Sequence, residues 1–231
     1  MDSSTNSGLR PSAAPTELTT TLSELLGGAE ITELRRLSGG ASRETWRFVA
    51  DGRPLVLQRQ RAGDARDMLV EAGVVRAAEA AGVPVPRLID ARRRDDGAAM
   101  MVVEAVEGET IARKIQRDDE YAAARTRLVA DLGHALARIH RIDPDTVQGL
   151  VETDQLAYYT EVMGSIGQPH PVLELVRNWL VDHQPARGPV RVVHGDFRLG
   201  NVIVGPDGLA AVIDWELAHL GDPMEDLGWL C

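Results

Sequence analysis

His194-Gly195-Asp196-Phe197-Arg198-Leu199-Gly200-Asn201 follows a short apolar run, Val190 to Val193, and precedes two strand-like runs, Val202 to Val204 and Leu209 to Ile213, joined by Gly205-Pro206-Asp207-Gly208. Across that hairpin stands Ile213-Asp214-Trp215-Glu216. The spacing H-x-D-x-x-x-x-N, with a second aspartate beyond a hairpin, is the arrangement that phosphoryl transfer asks for. The reaction needs a group that orients an incoming hydroxyl, and a bound cation that neutralises phosphate oxygens. Asp196 meets the first need. Asn201 and Asp214 meet the second, as hard oxygen ligands for Mg²⁺. Arg198 lies close after Asp196, and its fixed positive fork suits the transferred phosphoryl group. His194 reads as a scaffold residue that hydrogen-bonds the loop, because the neighbouring carboxylate already explains the chemistry.

Outward from this stretch, the second half of the chain is patterned for helices at about 109 to 116, 118 to 142, 153 to 166 and 171 to 183. In the long one, Leu128, Leu132, Leu136 and Ile139 fall on one stripe. Asp222 before Pro223 reads as the cap of a further helix, and Glu216 is either a water-mediated helper of the metal carboxylate or a structural charge. The first half is strand-like at Ile31 to Leu37, Arg43 to Val49, Pro54 to Arg59, Leu88 to Ala91 and Ala99 to Ala105, with Asp51-Gly52 marking a hairpin. A helix is expected over 65 to 81, stopped by Gly82 before Pro84 and Pro86. A lead-in helix capped by Thr16 carries Leu18, Leu22, Leu25 and Leu26 at helical spacing. The expected organisation is a polar disordered tail over 1–16, an N-terminal lobe over 17–105 and a mainly helical lobe over 106–231. Together they make an α+β fold.

Composition excludes several classes. A formal net charge of −10 repels a phosphate backbone, and the one dense basic run, Arg92-Arg93-Arg94, is followed at once by Asp95-Asp96, so nucleic acid is not an expected partner. No apolar run approaches the roughly 20 residues of a membrane helix. The single cysteine, Cys231, provides neither a disulfide framework nor a zinc site, and a reducing, cytoplasmic setting fits.

Val193 to Leu230 as a whole resembles the aminoglycoside phosphotransferase and choline kinase-like family: H-G-D-x-x-x-x-N, the hairpin, I-D-W-E and G-D-P-x-x-D-L-G are all present in order. Ile213-Asp214-Trp215-Glu216-Leu217-Ala218-His219-Leu220-Gly221-Asp222-Pro223 is most similar to the subgroup associated with acyl-CoA dehydrogenases. Leu37-Ser38-Gly39-Gly40-Ala41-Ser42 resembles the family's nucleotide loop, and Val103-Glu104-Ala105-Val106-Glu107-Gly108 its interlobe hinge. The resemblance implies a protein kinase-like two-lobed fold that uses ATP and Mg²⁺ to phosphorylate a small-molecule hydroxyl. Backbone N–H groups of Gly39, Gly40 and Ala41 and the hydroxyl of Ser42 would close over the triphosphate. Glu104 and Val106 would hold the base at the hinge. Met100 and Met101 read as core or adenine-pocket residues.

One position departs from the pattern. Family members carry a strand lysine paired with a helix acid, here Glu71, whose alternative reading is a solvated charge; Gln58 stands where the lysine belongs, and Arg59 follows. Either Gln58 contacts phosphate as a neutral donor, or a bulge lets Arg59 replace the lysine and pair with Glu71; strand alternation puts the two on opposite faces. The departure keeps a nucleotide-binding pseudokinase or fragment as an alternative. The resemblance also implies further helices carrying the acceptor site. Without them the C-terminal lobe is expected to be incomplete, with apolar surface open to self-association. A two-metal hydrolase built on His194, Asp196, Asp214, His219 and Asp222 is the second alternative.

Overall fold

The computed structural model describes residues 15–37, 43–61, 66–186 and 188–231. Gly39, Gly40, Ala41 and Ser42 of the expected nucleotide loop lie outside these residues, as does most of the expected tail.

Helix α1 (Pro15–Leu25) lies on one face of a sheet built from β1 (Ile31–Arg36), β2 (Arg43–Ala50), β3 (Arg53–Gln60), β4 (Leu88–Arg93) and β5 (Ala99–Glu104), and α2 (Met68–Ala80) packs on the other. Thr16 is therefore inside α1 rather than its cap. The strand order is β1-β2-β3-β5-β4, antiparallel throughout. Asp51 and Gly52 both have positive φ (47° and 79°), the primed turn that matches strand twist, and it holds β2 and β3 in unbroken register from Ala50↔Arg53 to Arg43↔Gln60. Period-2 alternation then sorts the side chains. Trp46, Phe48, Leu55 and Leu57 bury against Leu18 and Leu22 of α1, while Arg43, Thr45, Val56 and Gln58 take the opposite face. Met100 packs in the α1 cluster, and Met101 packs with Met68 and Ala72 of α2.

Asp67 caps α2 by accepting from the Leu69 N–H at 3.0 Å. The helix closes at Gly82 (φ 76°), with Val83 N–H on Ala78 O at 2.9 Å. Its other side, through Val74, Val75 and Ala78, joins a larger core with α4 (Ala122–Ile139), where the stripe Leu128, Leu132, Leu136 and Ile139 is buried as expected.

Two helix starts differ from the periodicity. The helix read from about 109 is α3 (Ala112–Arg117), because Glu109 is held in a β-bridge, its N–H on Val204 O at 2.9 Å and its C=O accepting from Val204 N at 3.0 Å. The long helix starts late because Asp118 is extended (ψ 137°), followed by a 3₁₀ turn at Asp119–Tyr121. Beyond α4 come α5 (Gln155–Ile166) and α6 (Pro171–Asp182), which leave Tyr158, Val172, Leu175 and Trp179 exposed. Strand β6 (Arg191–Val193), hairpin β7 (Val202–Gly205) and β8 (Gly208–Val212), β9 (His219–Gly221) and α7 (Met224–Leu230) complete the described chain. No helix among the described residues is long and apolar enough to cross a membrane.

Candidate active site

The loop after β6 is fixed from below by one carboxylate. Asp226, on α7 and fully buried, accepts the backbone N–H of His194 (3.0 Å) and of Gly195 (2.9 Å), and His140 Nε2–H at the end of α4 (2.9 Å). Burial pushes its pKa up, but the hydrogen bonds from His140, His194 and Gly195 prevail and hold it below the ordinary carboxylate value. His194 is buried too. Its Nε2–H donates to Ile213 O at 3.0 Å and its Nδ1 accepts from Asp196 N–H at 3.3 Å, a neutral tautomer favoured by burial, which lowers its pKa. The scaffold reading of His194 holds. Gly195 has φ 82°, and a Cβ there would stand 2.4 Å from Leu217 O, so only glycine fits between the loop and the segment after β8.

This platform presents Asp196. Asn201, at the end of a 3₁₀ turn, donates through Nδ2 to Asp196 Oδ2 (2.5 Å) and to Asp196 O (2.9 Å). Arg198 lies back on the same carboxylate, Nε to Oδ1 at 3.0 Å and to Oδ2 at 3.2 Å. The backbone bond from Ile213 N–H to Asn201 O (3.0 Å) draws Asp214 alongside. Asp214 is a non-glycine residue at φ 67°, the left-handed conformation that aspartate tolerates and that often marks working sites. Burial raises its pKa, with the Arg43 charge opposing and the Glu216 charge adding.

Opposite Asp214 stands a residue that sequence reasoning passed over. Arg43, the first residue of β2, is 7% exposed. Its Nη1 donates to both Glu71 oxygens (2.8 and 3.1 Å) and to Gln58 Oε1 (2.9 Å); its Nη2 donates to Asp214 Oδ1 (3.1 Å) and Glu216 Oε2 (2.7 Å). Glu216 also meets Arg66 at 3.0 Å. Burial alone would lower the Arg43 pKa, but the Glu71 charge and the carboxylate hydrogen bonds raise it, so the guanidinium stays charged. Glu71 is pushed up by its own burial, with Arg43 pulling the other way.

Of the two alternatives for the strand cation, the one in which a bulge lets Arg59 pair with Glu71 is overturned. With the β2–β3 register unbroken, Arg59 points to the α1 face, where it lies 3.7 Å from Glu44 and its desolvation lowers its pKa. Gln58 is on the Glu71 face, and Glu71 is a buried ion-pair partner rather than a solvated helix charge. At the hinge, Glu104 N–H bonds Arg87 O and its side chain pairs with Arg53 at 2.8 Å, while Ala105 N–H bonds Pro54 O; the Val106 N–H makes no backbone hydrogen bond among the described residues. The histidines and Asp222 of the hydrolase alternative do not join the Asp196 and Asp214 carboxylates. His194 spends its nitrogens on the Ile213 carbonyl and the Asp196 N–H, and His219 turns to Leu217 O (2.8 Å) and Glu225 (3.1 Å). Asp222 accepts from Met224 N–H at 2.9 Å, one residue ahead of the α7 cap position at Pro223. No three His, Cys, Asp or Glu side chains form a metal cluster among the described residues.

The family model described as a phosphotransferase enzyme family matches residues 33–231. The chain belongs to this family. Its sequence is similar to acyl-CoA dehydrogenase family member 10 of Mus musculus, 29% identical over 219 residues, covering 86% of this chain and 20% of that protein. It is also similar to acyl-CoA dehydrogenase family member 11 of Gallus gallus, 27% identical over 217 residues, covering 85% and 27%. The chain thus spans between 14% and 27% of the length of the curated relatives it matches. Among solved structures it resembles aminoglycoside 2'-phosphotransferase-IIIa in its GDP complex, with a TM-score of 0.69 at 16% identity over 93% of this chain and 76% of that one. Aminoglycoside phosphotransferase APH(4)-Ia gives a TM-score of 0.69 at 18% identity over 93% and 75%. The fold is therefore the kinase-like α+β fold, and the family supports a kinase-type phosphotransfer reaction.

Proposed function

We propose that this phosphotransferase moves the γ-phosphoryl group of ATP to a hydroxyl of a small molecule. The observation that carries the reading is the joining of Asp196, Asn201 and Asp214 by the Asn201 amide and the Ile213–Asn201 backbone bond. Asp196 takes the hydrogen bond of the acceptor hydroxyl and receives its proton as the oxygen–phosphorus bond forms and the bond to the leaving phosphate oxygen breaks. Arg198, which donates to the Asp196 carboxylate, would follow the transferred group.

The donor set fits Mg²⁺: the Asp214 carboxylate is partly exposed, and Asn201 uses its nitrogen on Asp196, leaving Oδ1 as a ligand atom. When bound, the ion neutralises charge on the β- and γ-phosphate oxygens. Glu104 and Val106 border the edge where the base would lie, with the Val106 N–H available to it. A cleft of about 910 Å³ runs from Arg43 and Glu216 past Trp215 to Tyr158, Tyr159 and Trp229; Asp196, Asn201 and Asp214 stand outside its lining, so it is not assigned to the acceptor. Aminoglycoside-like, choline-like and hydroxyacyl thioester hydroxyls are the acceptor classes to screen.

The reading is tested by ADP production from Mg-ATP across that panel, comparing wild type with Asp196→Ala. Equal rates for the two proteins would reject it. Gln58 in the lysine position favours a second reading, a nucleotide-binding protein without turnover. That reading predicts Mg-dependent ATP binding by calorimetry with no acceptor-dependent ADP.

A further inference from the structure

We propose that Arg43 is the phosphate-binding cation of this chain, supplied from the start of β2 in place of the strand lysine that Gln58 replaces. The inference rests on the phosphotransferase reading above and assigns the missing charge within it.

The geometry is the first argument. In a regular antiparallel pair, Arg43 faces Gln60, and Gln58 is its diagonal neighbour on the same face of the sheet. Diagonal neighbours lie within reach of long side chains, and the 2.9 Å bond from Arg43 Nη1 to Gln58 Oε1 shows that the guanidinium occupies the space above position 58. A cation issuing from β2 therefore reaches the point that a lysine at 58 would reach from β3. The two positions are alternative roots for one charge.

The second argument is the asymmetry of its partners. The Nη1 end is held by Glu71, which is itself buried, and the Nη2 end is held by Asp214 and Glu216, whose side chains are 41% and 21% exposed. One end is thus anchored on a buried partner and the other on partners open to solvent. Nη2 shares Asp214 with the residues that would hold a metal ion, and with Asp214 given to that ion a phosphate oxygen would be the anion left to accept from Nη2. Guanidinium suits this exchange because its planar fork keeps the anchored bonds while the outer ones change partner. The third argument is the charge balance. Glu71, Asp214 and Glu216 face Arg43 and Arg66, so removing Arg43 leaves an acidic wall that repels a triphosphate.

Gln58 acquires a role in the same picture. Its Oε1 accepts from Nη1, so it orients the guanidinium instead of contacting phosphate as a donor. Arg43→Gln and the swap Arg43→Gln with Gln58→Lys test this by titration calorimetry with Mg-ATP and with adenosine, each variant checked by thermal melting. The single variant is expected to bind Mg-ATP about 30-fold more weakly, as loss of a charged phosphate contact implies, and to bind adenosine like wild type. The swap, which returns the cation to β3, is expected to recover most of the loss. The proposal is overturned if Arg43→Gln binds Mg-ATP like wild type, if adenosine binding falls in parallel, or if the folded swap variant recovers nothing. Failure of wild type to bind Mg-ATP would instead reject the phosphotransferase reading itself.

Discussion

Replacing Asp226 by asparagine removes one oxygen and one charge from a side chain that touches neither nucleotide nor acceptor in the scheme above. The carboxylate receives the N–H groups of His194 and Gly195 and the Nε2–H of His140, all within 3.0 Å and out of water. An asparagine carbonyl can accept from one of the two backbone amides, and its NH₂ then faces the other. A buried donor left unpaired costs about 1–3 kcal/mol, and the remaining bonds lose their charge assistance, so the expected loss is about 3 kcal/mol. For a domain of this size that corresponds to about 6–12 °C in Tm.

Thermal unfolding followed by circular dichroism, at neutral pH and in acid, is the assay. Because the folded carboxylate has a depressed pKa, its contribution is present above the ordinary value of 3.8 and disappears as pH falls through the folded value. The gap between wild type and Asp226→Asn should therefore be widest near neutrality and narrow in acid. A variant that melts within about 1 °C of wild type at pH 7 would refute the account of the loop's support.

Gly195→Ala should cost about 3 kcal/mol or more, since the new Cβ meets Leu217 O at 2.4 Å in a left-handed conformation; the urea midpoint measures it, and an unchanged midpoint counts against the close approach. Leu22→Ala, at a fully buried contact between α1 and the sheet, should lose about 2–5 kcal/mol in the same assay, showing that the lead-in helix is part of the core. Burial lowers the His219 pKa, but the Glu225 hydrogen bond and the Leu217 carbonyl outweigh it and raise the net value. Its stabilisation is then full below the ordinary 6.5 and lost as pH rises through the folded value, so Glu225→Gln should flatten the alkaline decline in Tm; identical pH profiles would exclude the pair as its source.

Sequence was informative where one local rule governed each residue. The Asp51-Gly52 turn, the alternation of Trp46, Phe48, Leu55 and Leu57, and the stripe from Leu128 to Ile139 follow from backbone periodicity, which a sequence displays directly. Asp196, Asn201 and Asp214 were legible because their spacing is short and held by one hairpin. Boundaries failed where a distant partner intervened: Glu109 joins Val204 and so delays α3, and β9 exists only because β6 lies beside it.

The motif determined on its own which residues come together, since a carboxylate, an amide and a second carboxylate at that spacing are joined by local chain geometry. Charge placement across the cleft was a tertiary decision. Gln58 suggested a weakened site and Arg59 a substitute, yet the register sends Arg59 to the α1 face and brings Arg43 to Gln58, Glu71, Asp214 and Glu216. Asp226 likewise supports His194 and Gly195 from another element. Such pairings span many residues and depend on how β2, α2 and the segment after β8 pack, because electrostatic and hydrogen-bond energies follow distance in space, whereas periodicity follows distance along the chain.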